Sequence, residues 1–105
     1  MLTIQRGSTP TIKATIPEDI DMASASVIWF SISQAGAVVI DKTTDDIEVD
    51  GQEVTVSLTQ AETLALMENV RGKAQIRLLM NDGTALPSRI RDVIVYGLVK
   101  DGVIG

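Results

Sequence analysis

The chain has 105 residues and a formal net charge of −5, and it contains neither cysteine nor histidine. These counts exclude a disulfide framework, a thiolate metal site and catalysis by a histidine base, and the negative charge disfavours nucleic acid as a partner. No apolar run approaches the roughly 20 residues of a membrane span, and residues 1–13 lack the pattern of a signal peptide. We therefore expect one soluble domain over residues 1–105, made in the cytoplasm.

The first half of the chain predicts strands separated by turn signals. In the third strand, Ile28, Phe30 and Ile32 share one face and Val27 and Trp29 share the other. Apolar residues on both faces indicate a central strand, or a strand with one face covered by a partner. A hairpin turn with glycine then leads into the fourth strand. The four strands are predicted at residues 2–5, 12–16, 26–33 and 37–41.

The second half of the chain predicts a hairpin, a short helix and two further strands. The dipeptide Asp50-Gly51 favours a tight hairpin. Thr59 and Glu62 form a T-x-x-E capping box, which predicts a helix at about residues 59–69. The apolar residues of the last strand change parity, which predicts a β-bulge near Arg91 and Asp92. The four strands are predicted at residues 47–49, 52–58, 74–80 and 86–100.

This order of elements predicts an all-β fold. Several short strands with turn signals between them are typical of an immunoglobulin-like antiparallel β-sandwich, and here one short helix would cross the rim at about residues 59–69. A small barrel is the alternative architecture. The core should be aliphatic, since Trp29, Phe30 and Tyr96 are the only aromatic residues.

The acidic run at residues 45–51 is the first candidate for chemistry. Asp46, Glu48 and Asp50 match the start of a calcium loop, but Ser57 stands where the bidentate acid should follow. Two carboxylates suited to glycoside hydrolysis would need a cleft, for which so small a domain has little room. We interpret the run as a solvated hairpin, and we predict no catalytic, cofactor-binding or metal-binding residue.

Four apolar residues stand outside the predicted core. Trp29 and Leu79 lie on outer strand faces, and a sandwich buries one face of each sheet. Either the rim helix and the N-terminal segment cover them, or they mark a partner surface. Val103 and Ile104 follow the last strand and could add to the sheet of a neighbour. The candidate partner-binding residues are therefore Trp29, Leu79, Val103 and Ile104.

Several stretches of the chain carry a resemblance to a known family. These stretches are Ile4-x-Arg6-Gly7-x-Thr9-Pro10, Val39-Ile40-Asp41-Lys42, Leu58-Thr59-Gln60-x-Glu62-Thr63, Asp82-Gly83-Thr84-Ala85 and Val99-Lys100-Asp101-Gly102-Val103-Ile104. With them the chain resembles small proteins that phages and prophages of gut Firmicutes encode among their tail and structural genes. Its strand pattern is also similar to the N-terminal domain of phage upper baseplate proteins, which serves as an attachment module. The likeness covers nearly the whole chain.

The resemblance implies a non-enzymatic structural or assembly module of a phage tail or baseplate that acts through protein–protein contacts. Its expected partners are other phage structural proteins or a second copy of the chain, so oligomers are allowed. No nucleic acid, membrane or cofactor is expected. The protein would be made in the bacterial cytoplasm and located in the virion. The alternative is a carbohydrate- or cell-surface-binding β-sandwich module, in which Trp29 or Tyr96 would stack on a sugar.

Overall fold

The computed structural model describes residues 2–87 and 90–97, which form two β-sheets and one short α-helix. The helix α1 spans Gln60–Leu64, and single 3₁₀ turns lie at Met22–Ser24 and Thr44–Asp46. No helix in this part of the chain is long and apolar enough to cross a membrane. The strands are β1 (Leu2–Gln5), β2 (Thr11–Thr15), β3 (Ala25–Gln34), β4 (Ala37–Lys42), β5 (Ile47–Asp50), β6 (Glu53–Ser57), β7 (Gly72–Met80), β8 (Ala85–Pro87) and β9 (Arg91–Tyr96).

The strands form a larger and a smaller sheet. The larger sheet has the order β1-β9-β7-β3-β4, and β8 pairs with β7 on the same side as β9. The smaller sheet has the order β2-β6-β5. Strands β1 and β9 run parallel, and the other neighbouring pairs are antiparallel. Strand β3 lies between β7 and β4, so the first of its two predicted alternatives, a central strand, is confirmed.

One core lies between the two sheets and takes side chains from both. In β3, Ile28, Phe30 and Ile32 are buried while Trp29 is exposed, as alternation predicts for a strand with one face on the core. Val54 and Val56 of β6 meet them from the smaller sheet. Phe30 is the one aromatic side chain in this cluster, and the rest is aliphatic or methionine, which confirms the predicted composition of the core.

Helix α1 begins with the predicted capping box but is shorter than predicted. The Thr59 hydroxyl accepts from the Glu62 N–H at 3.2 Å, and Glu62 Oε1 accepts from the Thr59 N–H at 2.8 Å. The helix ends at Leu64 rather than near residue 69. The N–H of Met67 donates to Gln34 Oε1 at 2.8 Å instead of to a helical carbonyl, and Asn69 has a φ of 60°. A long-range hydrogen bond thus takes the amide that would have continued the helix.

The predicted bulge in the last strand is present, slightly earlier than expected. Arg77 faces Pro87, and Ala74 faces Arg91. Three steps along β7 therefore correspond to four steps along its partner, which is the one-residue excess of a β-bulge. Within the described residues the predicted strand corresponds to two strands, β8 and β9. The predicted end of the strand, after residue 97, lies outside the described residues.

Candidate partner-binding site

Trp29 and Leu79 lie on the outer face of the six-stranded sheet, as the sequence predicted. In the ladder between β3 and β7, Trp29 faces Arg77, and Val27 faces Leu79. Trp29 is 46% exposed and Leu79 is 41% exposed. Helix α1 and strand β1 therefore leave both side chains accessible. Val103 and Ile104 lie outside the described residues.

Arg77 is a member of this surface that is not among the four predicted partner-binding residues. Its guanidinium lies over the indole of Trp29, 5.7 Å from the ring centroid. This distance is within the range of a cation–π contact, which holds both side chains in place. Alternation along β7 is enough to place Arg77 on the face opposite the core, but its contact with Trp29 depends on the register between two strands that lie far apart in the chain.

Strand β8 extends the apolar surface on the other side of β7. Ala85 faces Leu79, and Pro87 faces Arg77, so both lie on the same outer face. Val27 is half-buried, whereas Ala85 and Pro87 are exposed. We name this surface the outer patch; its residues are Val27, Trp29, Arg77, Leu79, Ala85 and Pro87.

A polar strip borders the outer patch toward the α1 end of the sheet. The next cross-strand pairs on this face are Ser31 with Gln75 and Ser33 with Lys73. The hydroxyl of Ser31 also donates to Asp41 Oδ1 on β4 at 3.0 Å. An apolar area with a polar border is the usual anatomy of a protein–protein interface.

Tyr96 lies on the outer face but far from Trp29. Val93 faces Gly72, the first residue of β7, so Tyr96 lies beyond that end of the strand. Trp29 faces Arg77, five residues into β7. At about 3.3 Å per residue, the two aromatic side chains are separated by more than roughly 16 Å along the strands. They do not form one stacking surface.

A buried amide fixes the loop between α1 and β7. Gln34 is 2% exposed, and its Nε2 donates to the carbonyls of Met67 and Val70 at 2.9 Å each. Its Oε1 accepts from the Met67 N–H at 2.8 Å. All of these partners are backbone groups of the loop, which belongs to neither sheet. The Gln34 side chain therefore connects the end of β3 to this loop. The role of Gln34 is structural.

An ion pair connects β4 to α1. Lys42 Nζ lies 2.8 Å from Glu62 Oε1, and the two side chains are 13% and 26% exposed. Partial burial raises the pKa of Glu62, but the hydrogen bond from Lys42 and those from Thr59 outweigh burial and leave the pKa below its ordinary value. The pair holds the capped end of α1 against the larger sheet.

The acidic side chains are dispersed or bonded to their own loops. Asp46 lies in a 3₁₀ turn, whereas Glu48 and Asp50 are exposed on β5. Thr84 donates hydrogen bonds to the carboxylate of Asp82. These bonds order the β7–β8 turn and lower the pKa of Asp82. Within residues 2–87 and 90–97, no group of three or more acidic, histidine or cysteine side chains is placed to hold a metal ion.

Comparison with known proteins yields structural likeness alone. No protein-family model matches the chain, and no curated protein matches it. Among solved structures, the chain is similar to the immunoglobulin-like domain of mouse leukocyte-associated immunoglobulin-like receptor 1, solved as a strand-swapped dimer. The identity is 15% over 90% of this chain and 85% of that one, with a TM-score of 0.52.

A second similar structure is the V domain of amphioxus IgVJ-C2. It is 11% identical over 90% of this chain and 99% of that one, with a TM-score of 0.38. At these identities a likeness shows the fold alone, and it is the mouse domain that carries the comparison. The protein is an all-β immunoglobulin-like sandwich, which confirms the predicted fold class.

Proposed function

We propose that the chain is a non-enzymatic structural or assembly module of a phage or prophage, associated with the tail or baseplate. It binds other structural proteins, or a second copy of itself, through the outer patch. The observation that carries the proposal is the accessible Trp29–Arg77 pair with Leu79 beside it. The stretches that resemble tail-associated proteins support the phage setting.

The outer patch suits a protein partner in composition and in rigidity. Trp and Arg are the residue types that most often dominate binding energy at interfaces, especially near the centre of a patch. The patch lies on the face of a paired sheet, and Arg77 already contacts Trp29 before any partner arrives. Less side-chain freedom is then lost on binding, which favours affinity.

Self-association is one form that this function takes. The similar mouse domain was solved as a strand-swapped dimer, so a domain with this fold can associate with a second copy of itself. The sugar-binding alternative receives less support. Tyr96 lies too far from Trp29 to share a ligand, and Arg77 already occupies one side of the indole.

Incorporation into particles tests the proposal. The gene is deleted from the prophage and replaced by the wild-type sequence or by Trp29→Ser or Leu79→Lys, and particles are purified after induction. We expect the wild-type chain in the particles and the two variants in the soluble fraction. Met67→Lys is the matched control, because Met67 is 45% exposed but lies in the α1–β7 loop. Absence of the wild-type chain from particles, or equal incorporation of all variants, would contradict the proposal.

A further inference from the structure

Among the residues that the structure describes, the core is incompletely covered along one side of the sandwich. There a groove of about 520 Å³ lies between β2 of the smaller sheet and β8 and the start of β9 in the larger sheet. Phe30, Val54 and Leu78 also line it. Five of its other lining residues pack against the core yet are only half-buried: Leu2, Ile12, Ala14, Ile20 and Leu86.

One wall of the groove is a strand edge with backbone groups directed outward. Strand β2 pairs with β6 alone within the described residues. The Ile16 N–H donates to the Gln52 carbonyl at 2.7 Å, which places the even-numbered residues of β2 in the hydrogen-bonded pairs. In an antiparallel ladder the alternate residues, Thr11, Lys13 and Thr15, direct their N–H and C=O groups to the other side. That side borders the groove.

The opposite wall offers fewer backbone groups. The Met80 N–H donates to the Thr84 carbonyl at 2.8 Å, so Met80 and Thr84 form a hydrogen-bonded pair. The next residue, Ala85, therefore directs its N–H and C=O groups away from β7. Pro87 has no N–H to donate. A strand that enters the groove would therefore pair with β2 and contact β8 through side chains.

Arg91 gives the groove a positive charge. It faces Ala74, a core residue, so its side chain lies on the inner side of the larger sheet, where it lines the groove. No ion pair of Arg91 is present among the residues that the structure describes. An acidic side chain at the matching position of an inserted strand would pair with it.

We propose that residues 98–105 of a second copy of the chain add to β2 as an extra strand and fill the groove. An extended backbone supplies the N–H and C=O partners that β2 lacks, and its alternate side chains enter the apolar space. Val99, Asp101 and Val103 share one parity and bring a carboxylate between two apolar side chains. The other parity would bring Lys100 toward Arg91, which like charges disfavour.

The position of Gly97 favours a second copy over the same chain. Its carbonyl accepts from Gln5 Nε2, so β9 leaves the sheet beside the end of β1. Strand β1 pairs with the outer edge of β9, and its first residue, Leu2, lines the groove at the other end of β9. A path from Gly97 to the groove within one chain would have to reverse direction and run back past β1. Exchange between copies closes as a dimer or continues as a filament.

This contact shares Pro87 with the outer patch but involves neither Trp29 nor Leu79, so variants at those two residues and variants in the groove test the two proposals separately. The chain has no cysteine, which permits a direct cross-linking test. Two single variants, Ala14→Cys and Val103→Cys, are mixed under mild oxidation. We expect a mixed disulfide dimer to form at least tenfold faster than in a mixture of Val103→Cys with Val49→Cys. Val49 is the control because it is exposed on β5, away from the groove.

Two results would overturn the proposal. One is mixed-dimer formation no faster than the Val49→Cys control. The other is a disulfide confined within single chains when one protein carries both Ala14→Cys and Val103→Cys, which would assign the groove to the same chain. A second measurement covers any effect of Ala14→Cys on folding. Light scattering should show weaker self-association for Arg91→Glu and for Asp101→Lys, and recovery in the double variant; failure to recover would also overturn it.

Discussion

The guanidinium of Arg77 lies over the indole of Trp29, and the two residues face each other across β7 and β3. Trp29 is the only tryptophan of the chain, so its fluorescence reports on this contact directly. The contact lies at the centre of the outer patch. Pro87 faces Arg77 on one side, and the Val27–Leu79 pair is the next pair on this face along β3 and β7.

Removing Arg77 should uncover the indole while changing stability little. We expect Arg77→Ala to increase quenching of Trp29 fluorescence by acrylamide and to lower the free energy of unfolding by about 0.5–1 kcal/mol, the usual size of an exposed cation–π contact. Lys73→Ala is the control, since Lys73 lies on the same face of β7 opposite Ser33. Unchanged quenching in Arg77→Ala would show that the guanidinium does not cover the ring.

The Gln34 side chain should be one of the most sensitive positions of the fold. Gln34→Met keeps the approximate volume but removes three hydrogen bonds to the backbone of Met67 and Val70. We expect a loss of about 2–4 kcal/mol in urea denaturation, because buried backbone groups would lose their partners. Ser33→Ala, a neighbour on the outer face, should change stability by less than about 0.5 kcal/mol. Equal midpoints for the two variants would contradict the assigned role.

The Lys42–Glu62 pair should give stability a defined dependence on pH. The pKa of Glu62 is lower in the folded chain than the ordinary value of a glutamate. A lowered folded-state pKa contributes stability above the unfolded pKa, and this contribution is lost as pH falls through the folded pKa. We expect Glu62→Gln to lose about 1 kcal/mol at neutral pH, and the difference from wild type to vanish in acid.

Glu53→Gln supplies the control for that experiment. Glu53 lies 3.9 Å from Lys13 in an exposed pair, and such pairs contribute little. At neutral pH the unfolding free energy of Glu53→Gln should equal that of the wild type within about 0.5 kcal/mol. A Glu62→Gln curve parallel to the wild-type curve from neutral pH to acid would show that the Lys42 contact does not perturb Glu62.

Most of the fold was predictable because its signals are local. Alternation located the strands, the Asp50-Gly51 dipeptide located a hairpin, and Thr59 with Glu62 located the start of α1. The position of the bulge was predicted less well. The predicted change of parity lies between Ile90 and Val93. Ile90 is 52% exposed and lies outside β9, whereas Val93 and Val95 are buried on the inner face.

The contacts that define the site depend on pairing between distant segments. The Arg77–Trp29 contact requires the register of β7 on β3, and the Gln34 amide binds a loop more than 30 residues later. Sequence placed Trp29 and Leu79 on an outer face, but it could not decide whether other elements cover them. The groove beside β2 depends on which edges remain open after both sheets have formed.

Footprinting with hydroxyl radicals tests the outer patch most directly. Oxidation of Trp29, Leu79 and Met67 is measured by mass spectrometry in the isolated chain and in purified particles. If the outer patch is the interface, oxidation of Trp29 and Leu79 falls severalfold on assembly while that of Met67, which is similarly exposed in the free chain, stays the same. Equal oxidation of Trp29 in both states would contradict the central claim.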